Sequence, residues 1–454
     1  MNKLTRELID KDKRHLWHPF TQMAEWLSTD PVIIDSAEGF YLIDTEGNRY
    51  IDGVASLWCN VHGHRVSEID EAIKAQVDKV SHSTLLGLAQ TRSIELAERL
   101  VRITQPDLQK VFYSDSGATA VEIALKMAYQ YWHNKGQKKR TKFVALANSY
   151  HGDTIGSVSV GGIETFHSLF RPLLFETYFV PPPHPYRFAG TRGQCLQYSI
   201  DAMEQTLRRH ADEIAAVVVE PLVQAAAGMI VHPRGFLKAV RQMTTDYGVL
   251  LIADEVATGF GKTGKMFACE HEDVCPDIMC LAKGLTGGYL PLAATLTTTD
   301  IFDAFLGSPA AGKTFYHGHT YTGNALGCAA ALASLELFQK NRVLEGLPAK
   351  IDLMEDYFRR LAALPYVGDV RHCGLMGAVE LVKDKASKAP FEPHLRVAAR
   401  LCSAMRSQGV MLRPLGDCIV VMPPVAIDPQ LLERLLQVVL ASVEKKLPDI
   451  IRSC

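Results

Sequence analysis

The chain has 454 residues, of which 47% are hydrophobic and 22% charged, and its formal net charge is −2. This length exceeds what one hydrophobic core supports, so we expect at least two domains. The composition is that of a globular enzyme, and a balanced charge without long Lys or Arg runs excludes binding of nucleic acid through a basic surface.

The N-terminal region lacks the apolar segment of a signal peptide, and no run of 18 apolar residues occurs. We therefore expect a cytoplasmic protein without a membrane span. The ten cysteines are scattered and form no C-x-x-C pair. Cys269, His271, Cys275 and Cys280 lie close in sequence, but their spacing fits no zinc pattern, so we predict no metal site.

Near the N-terminus, the alternation in Tyr41–Asp44 and Arg49–Ile51 predicts a hairpin with Glu46 and Gly47 between its strands. We assign residues 1–60 to a small domain, to which the C-terminal part of the chain also contributes.

Short apolar runs alternate with amphipathic stretches in the middle of the chain. The runs are 110–113, 142–146, 215–219, 249–253 and 278–281, and a helical pattern covers 118–132. Continuous apolar runs of this length are typical of strands buried on both faces. Because helical segments separate them, residues 61–330 are predicted to form a large α/β domain with a mostly parallel central sheet.

The C-terminal part shows a different pattern, and we predict that residues 331–454 form a smaller α+β domain. A helical stretch from Ala330 to about Leu364 precedes three short strands and two amphipathic helices. The strands are 367–371, 377–381 and 418–422, and the helices are 395–408 and 430–446.

Ligands bind beyond the carboxyl ends of strands in such sheets, so the residues that follow each run are candidates for a site. Asp254 follows one run, and a carboxylate there can keep a pyridinium nitrogen protonated. Lys283 follows another, where poor solvation suits an amine to form a Schiff base. Each residue alone also fits a structural role, an ion pair for Asp254 and a solvent-reaching lysine for Lys283.

Two further segments follow predicted strands. Ser116, Gly117 and Ala118 open the helical pattern, and the free N–H groups of a helix N-terminus can bind phosphate. A plain capped helix start is the alternative. Tyr150 lies in Asn148-Ser-Tyr-His-Gly152, where its ring can stack on a planar cofactor.

The segment Gly259–Met266 nearly matches a P-loop, but Met266 has no hydroxyl with which to ligate magnesium. The segment also begins several residues after the strand. We therefore reject a nucleoside triphosphatase.

Taken together, Ala253–Gly261 and Pro276–Gly288 resemble the signature of the class III aminotransferases, which are fold-type I enzymes dependent on pyridoxal 5′-phosphate. Gly318–Asn324 resembles a later loop of that family, and the resemblance extends over essentially the whole chain. It implies a large domain with a mostly parallel sheet, a smaller α+β domain, and a homodimer with shared active sites.

A narrower resemblance is to the members of this family that convert 8-amino-7-oxononanoate to 7,8-diaminononanoate in biotin biosynthesis. Leu16–Met23, Asn60–His64, Arg413–Gly416 and Met422–Pro424 carry it. The small-molecule substrates are then 8-amino-7-oxononanoate and an amino donor, which react in two half-reactions.

The resemblance also implies roles for individual residues. Lys283 is the catalytic residue and covalent anchor of the cofactor, Asp254 contacts its ring nitrogen, and Tyr150 stacks on the ring. The cofactor phosphate is expected to be bound by Ser116, Gly117 and Ala118, together with His319 and Thr320 of a second subunit. The residues expected to contact the substrate are Phe20, Leu57, Trp58, Tyr150, Gly318 and Arg413.

The chain departs from the members that use S-adenosylmethionine at four positions around the expected donor pocket: Phe20, Leu57, Lys262 and Val420 stand where Tyr, Trp, Arg and Tyr are usual. These differences favour L-lysine as the amino donor, and S-adenosylmethionine stays open. The alternatives for the whole protein are another class III ω-aminotransferase acting on ornithine, 4-aminobutyrate or a related amine, an aminomutase, and a protein that only holds the cofactor.

Overall fold

The structure is a computed structural model that describes residues 1–453. Its strands are β1 (Ile34–Glu38), β2 (Tyr41–Asp44), β3 (Arg49–Asp52), β4 (Leu108–Ser114), β5 (Lys142–Leu146), β6 (Thr177–Val180), β7 (Ile214–Val219), β8 (Val223–Gln224), β9 (Ile230–Val231), β10 (Leu250–Asp254), β11 (Ile278–Leu281), β12 (Ala293–Thr298), β13 (Val367–Cys373), β14 (Met376–Leu381), β15 (Val410–Met411), β16 (Arg413–Leu415) and β17 (Cys418–Val421).

The right-handed helices of this part of the chain are α1 (Lys3–His15), α2 (Met23–Ser28), α3 (Ser67–Val77), α4 (Thr91–Ile103), α5 (Gly117–Asn134), α6 (Ile155–Ser159), α7 (Glu164–His167), α8 (Arg192–His210), α9 (Phe236–Asp246), α10 (Thr299–Asp303), α11 (Ala325–Lys340), α12 (Leu347–Ala362), α13 (Val397–Arg406), α14 (Pro429–Ala441) and α15 (Leu447–Arg452). None of the helices in residues 1–453 combines the length and apolar character that crossing a lipid bilayer requires.

The central sheet has the strand order β4-β12-β11-β10-β7-β5-β6. The five strands from β11 to β6 run parallel, and β12 runs antiparallel to both of its neighbours. All residues of β7, β10 and β11 are buried, because helices cover both faces of the sheet. The predicted α/β class with a mostly parallel sheet is therefore confirmed.

Two smaller sheets join the ends of the chain. The strands β1, β2 and β3 form a sheet with β15, which lies almost 360 residues further along, and β13, β14, β17 and β16 form the other. The N-terminal hairpin thus packs with C-terminal residues through the parallel pairing of β3 with β15. The domain boundaries at residues 60 and 330 stay predictions.

The helical stretch expected from Ala330 to Leu364 is wrong as one element, since α11 ends at Lys340 and α12 begins at Leu347. Arg342 has φ +48° in the break. Pro348 occupies the first turn of α12, where its missing N–H is harmless, whereas within a continuous helix it would remove a hydrogen bond. The helix expected at 430–446 likewise ends at Ala441, and a wider turn follows over Ser442–Lys446.

Candidate active site

A cavity of about 640 Å³ lies beyond the carboxyl ends of the parallel strands. Seven of the residues predicted from the sequence line it: Trp58, Ser116, Gly117, Ala118, Tyr150, Asp254 and Lys283. Residues that are more than 220 positions apart in the chain therefore meet in one space.

The register of the central sheet explains this convergence. Ala253 of β10 pairs with Val219 of β7, and Asp254 pairs with Cys280 of β11. The three strands therefore end at the same level, and the residues that come at or just after their ends lie at one edge. Those residues include Glu220, Asp254 and Lys283.

Lys283 has a left-handed backbone, with φ +48°, directly after β11. A non-glycine residue in that region is held by its surroundings, and such residues cluster at functional sites. Its Nζ lies 5.1 Å from the centroid of the Trp58 ring. Burial lowers the pKa of Lys283, and the charges of Asp254 and Glu220 oppose that effect only in part. The site thus contains an amine that is easier to deprotonate than an exposed lysine.

Asp254 is held by a buried partner that the sequence analysis did not select. Its Oδ2 lies 2.7 Å from Nδ1 of His151, and its Oδ1 accepts a hydrogen bond from the backbone N–H of Val256 at 3.0 Å. Burial alone would lower the pKa of His151, but the hydrogen bond and charge of Asp254 outweigh it, so the pKa is raised. The histidine therefore holds the Asp254 carboxylate in place, and a carboxylate is the kind of group that can pair with a pyridinium nitrogen.

Glu220 is a second residue that the sequence analysis missed, although it directly follows the run 215–219. Its side chain accepts backbone hydrogen bonds from Tyr150 at 3.0 Å and from Ala225 at 2.9 Å. Burial raises the pKa of Glu220 to about 7, and the neighbouring Asp254 also raises it. The rule that found Asp254 and Lys283, a polar residue at the end of a buried strand, would have found Glu220 too.

The N-terminus of α5 forms a cradle for an anion. Ser116 caps the helix, with its side chain accepting from Thr119 N–H and the Thr119 hydroxyl accepting from Ser116 N–H. A Cβ at Gly117 would overlap Val256, and one at Gly152 would overlap Ala118. Backbone is therefore packed closely around this helix start, where free N–H groups point outward and suit a phosphate.

Tyr150 is fixed on two sides. Its backbone N–H is held by Glu220, and its hydroxyl donates a hydrogen bond to Oδ2 of Asp153 at 2.7 Å. Its ring lies nearly parallel to His167, with centroids 6.3 Å apart and an interplanar angle of 13°. Asp153 lines the cavity and was also missed by the sequence analysis, since nothing in the pattern links it to Tyr150.

Trp58 ends an unusual left-handed turn. The four residues Ala55, Ser56, Leu57 and Trp58 have φ values of +49°, +48°, +72° and +69°, although none is glycine. A left-handed conformation costs an L-residue roughly 1–2 kcal/mol, so the surrounding structure must hold this turn in place.

Leu57 and two other predicted substrate residues, Phe20 and Arg413, line a second cavity of about 1,210 Å³. Arg396, Arg400 and Arg406 add to its positive charge. Arg396 pairs with Glu25 and Arg400 donates to Ser453, whereas the side chain of Arg413 has no hydrogen-bond or ion-pair partner within residues 1–453. Because Leu57 and Trp58 are adjacent, the left-handed turn separates the two cavities.

Gly318, His319 and Thr320 do not line either cavity in the described part of the chain. His319 Nδ1 lies 3.5 Å from Oδ2 of Asp115, which does line the first cavity. The Thr320 carbonyl lies 2.9 Å from Nε2 of His82. The loop thus reaches the rim of the site beside the phosphate cradle without entering it.

These groups together fit pyridoxal phosphate. A reactive amine, a carboxylate paired with histidine, an aromatic ring and a helix N-terminus surround one cavity, and they match the aldehyde, pyridine nitrogen, ring face and phosphate of that cofactor. The fit rests on the chemistry of the residues and on the close backbone packing at Gly117 and Gly152.

Comparisons with known proteins match nearly the whole chain. The profile of the family described as Aminotransferase class-III matches residues 23–442. A curated relative from Geobacter sulfurreducens, named adenosylmethionine-8-amino-7-oxononanoate aminotransferase, is 54% identical over 93% of this chain and 94% of its own length. A relative of the same name from Nitratidesulfovibrio vulgaris is 54% identical over 97% of this chain and 82% of its own length.

Two solved structures are similar over nearly the full chain. The adenosylmethionine-8-amino-7-oxononanoate aminotransferase of Methanocaldococcus jannaschii has 47% identity and a TM-score of 0.93, covering 97% of this chain and 99% of its own. An (S)-enantioselective ω-transaminase of Thermomicrobium roseum has 35% identity and a TM-score of 0.91, with 98% of each chain covered.

The buried carboxyl of Glu220 predicts a measurable pH dependence of stability. Burial raises the pKa of Glu220 in the folded protein from its ordinary value of 4.5 to about 7, so the contribution of this carboxyl to stability is fully present below about pH 4.5 and is lost as the pH rises through about 7. The shift corresponds to at most about 3 kcal/mol. Glu220→Gln should therefore gain stability relative to the wild type between pH 5 and pH 8, as measured by urea unfolding of the cofactor-free protein.

The exposed Glu355→Gln variant is the control, and it should follow the wild type at both pH values. If the stability difference between Glu220→Gln and the wild type is the same at pH 5 and pH 8, Glu220 does not titrate in this range and its pKa is not raised to about 7.

Proposed function

This chain belongs to the class-III aminotransferase family, and on that premise we propose that it transfers an amino group to 8-amino-7-oxononanoate, forming 7,8-diaminononanoate for biotin biosynthesis. The observation that carries the proposal is the near full-length similarity to the curated relatives of that name. The arginine-lined second cavity supports it, since the acceptor ends in a carboxylate.

The predicted enzyme class is confirmed: the chain is an aminotransferase dependent on pyridoxal 5′-phosphate. When bound, this cofactor supplies an aldehyde that takes up the amino group and a ring that withdraws electrons from the reacting carbon. In the proposal, the N-terminus of α5 binds the phosphate, Tyr150 packs on one face of the ring, and Asp254 contacts the pyridine nitrogen with His151 behind it.

Lys283 is the proposed covalent anchor and the group that moves the proton. Its lowered pKa makes the amine easier to deprotonate, and the neutral amine can accept a proton from the reacting carbon of the donor and pass it on within the site. Trp58 lies over the amine and, with Tyr150, limits the access of water to it.

The charges around the two cavities suit an acceptor that has an amine near its ketone and a carboxylate at its far end. Asp115 and Asp153 line the first cavity and can attract a substrate ammonium. Arg413, which lacks a partner within residues 1–453, lines the second and can pair bidentately with a carboxylate. We propose that the acceptor chain passes the turn of Leu57 and Trp58 to reach Arg413.

The proposed amino donor is L-lysine, and S-adenosylmethionine is the alternative. Phe20 lines the second cavity without a hydroxyl, Leu57 provides no stacking face, and Val420 is buried among apolar residues. These positions lack the aromatic and polar groups that an adenosyl donor would contact. Another class III ω-aminotransferase activity is the second candidate function, favoured by the similarity to the Thermomicrobium roseum enzyme.

We further propose a cytoplasmic homodimer in which His319 and Thr320 of one subunit complete the phosphate site of the other. Leu86, Leu88 and Tyr316 are more than 60% exposed in the single chain, and large exposed apolar side chains of this kind mark an interface. The loop that carries His319 lies at the rim of the cavity, which suits a contact across a two-fold axis.

The activity itself can be tested with the purified holoenzyme by following the visible absorbance of the bound cofactor. L-lysine should change the absorbance and 8-amino-7-oxononanoate should restore it, with 7,8-diaminononanoate detected by mass spectrometry. If S-adenosylmethionine acts and lysine does not, the proposed donor is wrong. If only ornithine or 4-aminobutyrate reacts and the keto acid never restores the absorbance, the biotin assignment is wrong.

Replacement of Arg413 tests the binding of the carboxylate. Arg413→Met should raise the KM for 8-amino-7-oxononanoate about 10- to 100-fold, because a charge-assisted hydrogen bond contributes about 1.5–3 kcal/mol. The acceptor half-reaction is measured by stopped-flow absorbance. Arg209→Met, at an exposed position of α8, serves as the control and should not alter the KM. An unchanged KM in Arg413→Met would remove Arg413 from the substrate site.

Subunit complementation tests the shared site. Lys283→Ala and the double variant His319→Ala/Thr320→Ala should each be inactive alone. In mixed dimers, one site combines an intact Lys283 with an intact loop, so a random 1:1 mixture should recover about one quarter of the wild-type activity. If both residues act within one chain, every mixed dimer lacks a complete site and no activity returns.

A further inference from the structure

The left-handed turn Ala55–Trp58 is held at both of its ends by buried charged residues. At its start, Asp52 accepts hydrogen bonds from the backbone N–H of Ser56 at 2.9 Å and from its hydroxyl at 2.7 Å. At its end, Nζ of Lys262 donates a hydrogen bond to the carbonyl oxygen of Trp58. Backbone strain of this kind persists only where the surroundings impose it, and these two side chains do so.

Lys262 is placed where it cannot act on a substrate directly. It is 2% exposed and lines neither of the two cavities in the described part of the chain. Its backbone is also fixed, since its carbonyl accepts from Leu375 N–H at 2.8 Å and a Cβ at Gly374 would overlap Lys262 and Thr263. The β13–β14 connection, which carries Gly374 and Leu375, therefore holds the base of this side chain.

A buried lysine with one carbonyl partner is costly. Burial and, to a smaller extent, the charge of nearby Lys283 together lower the pKa of Lys262 to about 7. An apolar side chain of similar length would fill the same space without that cost. The presence of a buried amine at position 262 is therefore best explained by its hydrogen bond to the Trp58 carbonyl in the left-handed turn.

We propose that Lys262 is a positioning residue: by holding the Trp58 carbonyl it fixes the left-handed turn, which orients the Trp58 ring over Lys283 and directs Leu57 into the second cavity. This inference rests on the proposed function for its kinetic consequences but not for its structural ones. A second lysine, which never bonds to the cofactor or contacts the substrate, is then required for efficient transfer. Small misplacements of groups at a reacting centre cost about 100-fold in rate.

The test compares Lys262→Met, which keeps the length of the side chain but has no donor, with Lys262→Gln, which keeps a donor. Lys265→Met is the matched control, since Lys265 lies on the same loop and is exposed. The first readout is the fluorescence of Trp58 in the full-length protein before cofactor is added. Each spectrum is corrected with the corresponding Trp58→Phe variant, which removes the signal of the other three tryptophans. The second readout is kcat and KM for each half-reaction of the holoenzyme.

We expect Lys262→Met to make Trp58 more accessible to acrylamide and to lower kcat/KM about 10- to 100-fold. Lys262→Gln should recover part of both effects, and Lys265→Met should match the wild type. If acrylamide quenches Trp58 in Lys262→Met to the same extent as in the wild type, the proposal is wrong. This holds even if the rate falls, because Lys262 then acts in another way.

If Lys262→Met does not fold, the same fluorescence measurement is made on the double variant Ala55→Gly/Lys262→Met. Glycine relieves the strain at Ala55, where φ is +49°, so the double variant should fold and still show the altered quenching. Wild-type quenching in the double variant overturns the proposal. If the wild-type enzyme aminates 8-amino-7-oxononanoate with none of the donors, the proposed function is wrong. The fluorescence comparison would still decide the role of Lys262.

Discussion

The parallel register of β7, β10 and β11 is the constraint on which the site depends. It brings Glu220, Asp254 and Lys283 to one edge of the sheet at the same level, although they are separated by up to 63 residues in the chain. The strands themselves are entirely buried and apolar, so the polar residues occur only where the strands end. A shift of one strand by one residue would move its polar residue away from the others and turn its neighbours to the opposite face.

Burial makes the ionisable groups at this edge depend on one another. The Asp254 carboxylate is stabilised by His151, Glu220 carries a raised pKa beside them, and the pKa of Lys283 is lowered. In a solvated site these groups would titrate separately, with ordinary values. In the proposed site, the Asp254 carboxylate would contact the ring nitrogen, while the amine of Lys283 loses its proton more easily than an exposed lysine, which is the division of roles that amino transfer requires.

The first cavity gains its shape from strained or tightly packed backbone. The turn at Ala55–Trp58 and the residue Lys283 are left-handed without glycine, and Gly117 and Gly152 allow backbone to approach α5 closely. The turn also divides an acid-lined cavity from an arginine-lined one. In the proposed reaction, a substrate with an amine at one end and a carboxylate at the other would meet complementary charge at both ends, with the reacting carbon next to Lys283.

The sequence by itself determined the class of fold and the centre of the site. Runs such as 215–219 are short and apolar throughout, which is typical of a strand buried on both faces, and the strand-end rule then selected Asp254 and Lys283. The sequence analysis did not reveal the Asp254–His151 contact, the Tyr150–Asp153 hydrogen bond, the left-handed turn or the break between α11 and α12. The Tyr150–Asp153 hydrogen bond and the break between α11 and α12 are local, and Pro348 is a signal for the break that the sequence analysis did not use. The Asp254–His151 contact joins residues far apart in the chain, and the left-handed turn runs against local preference because Asp52 and Lys262 impose it. Only the tertiary structure sets these last two features, since the contacts that hold them come from distant parts of the chain.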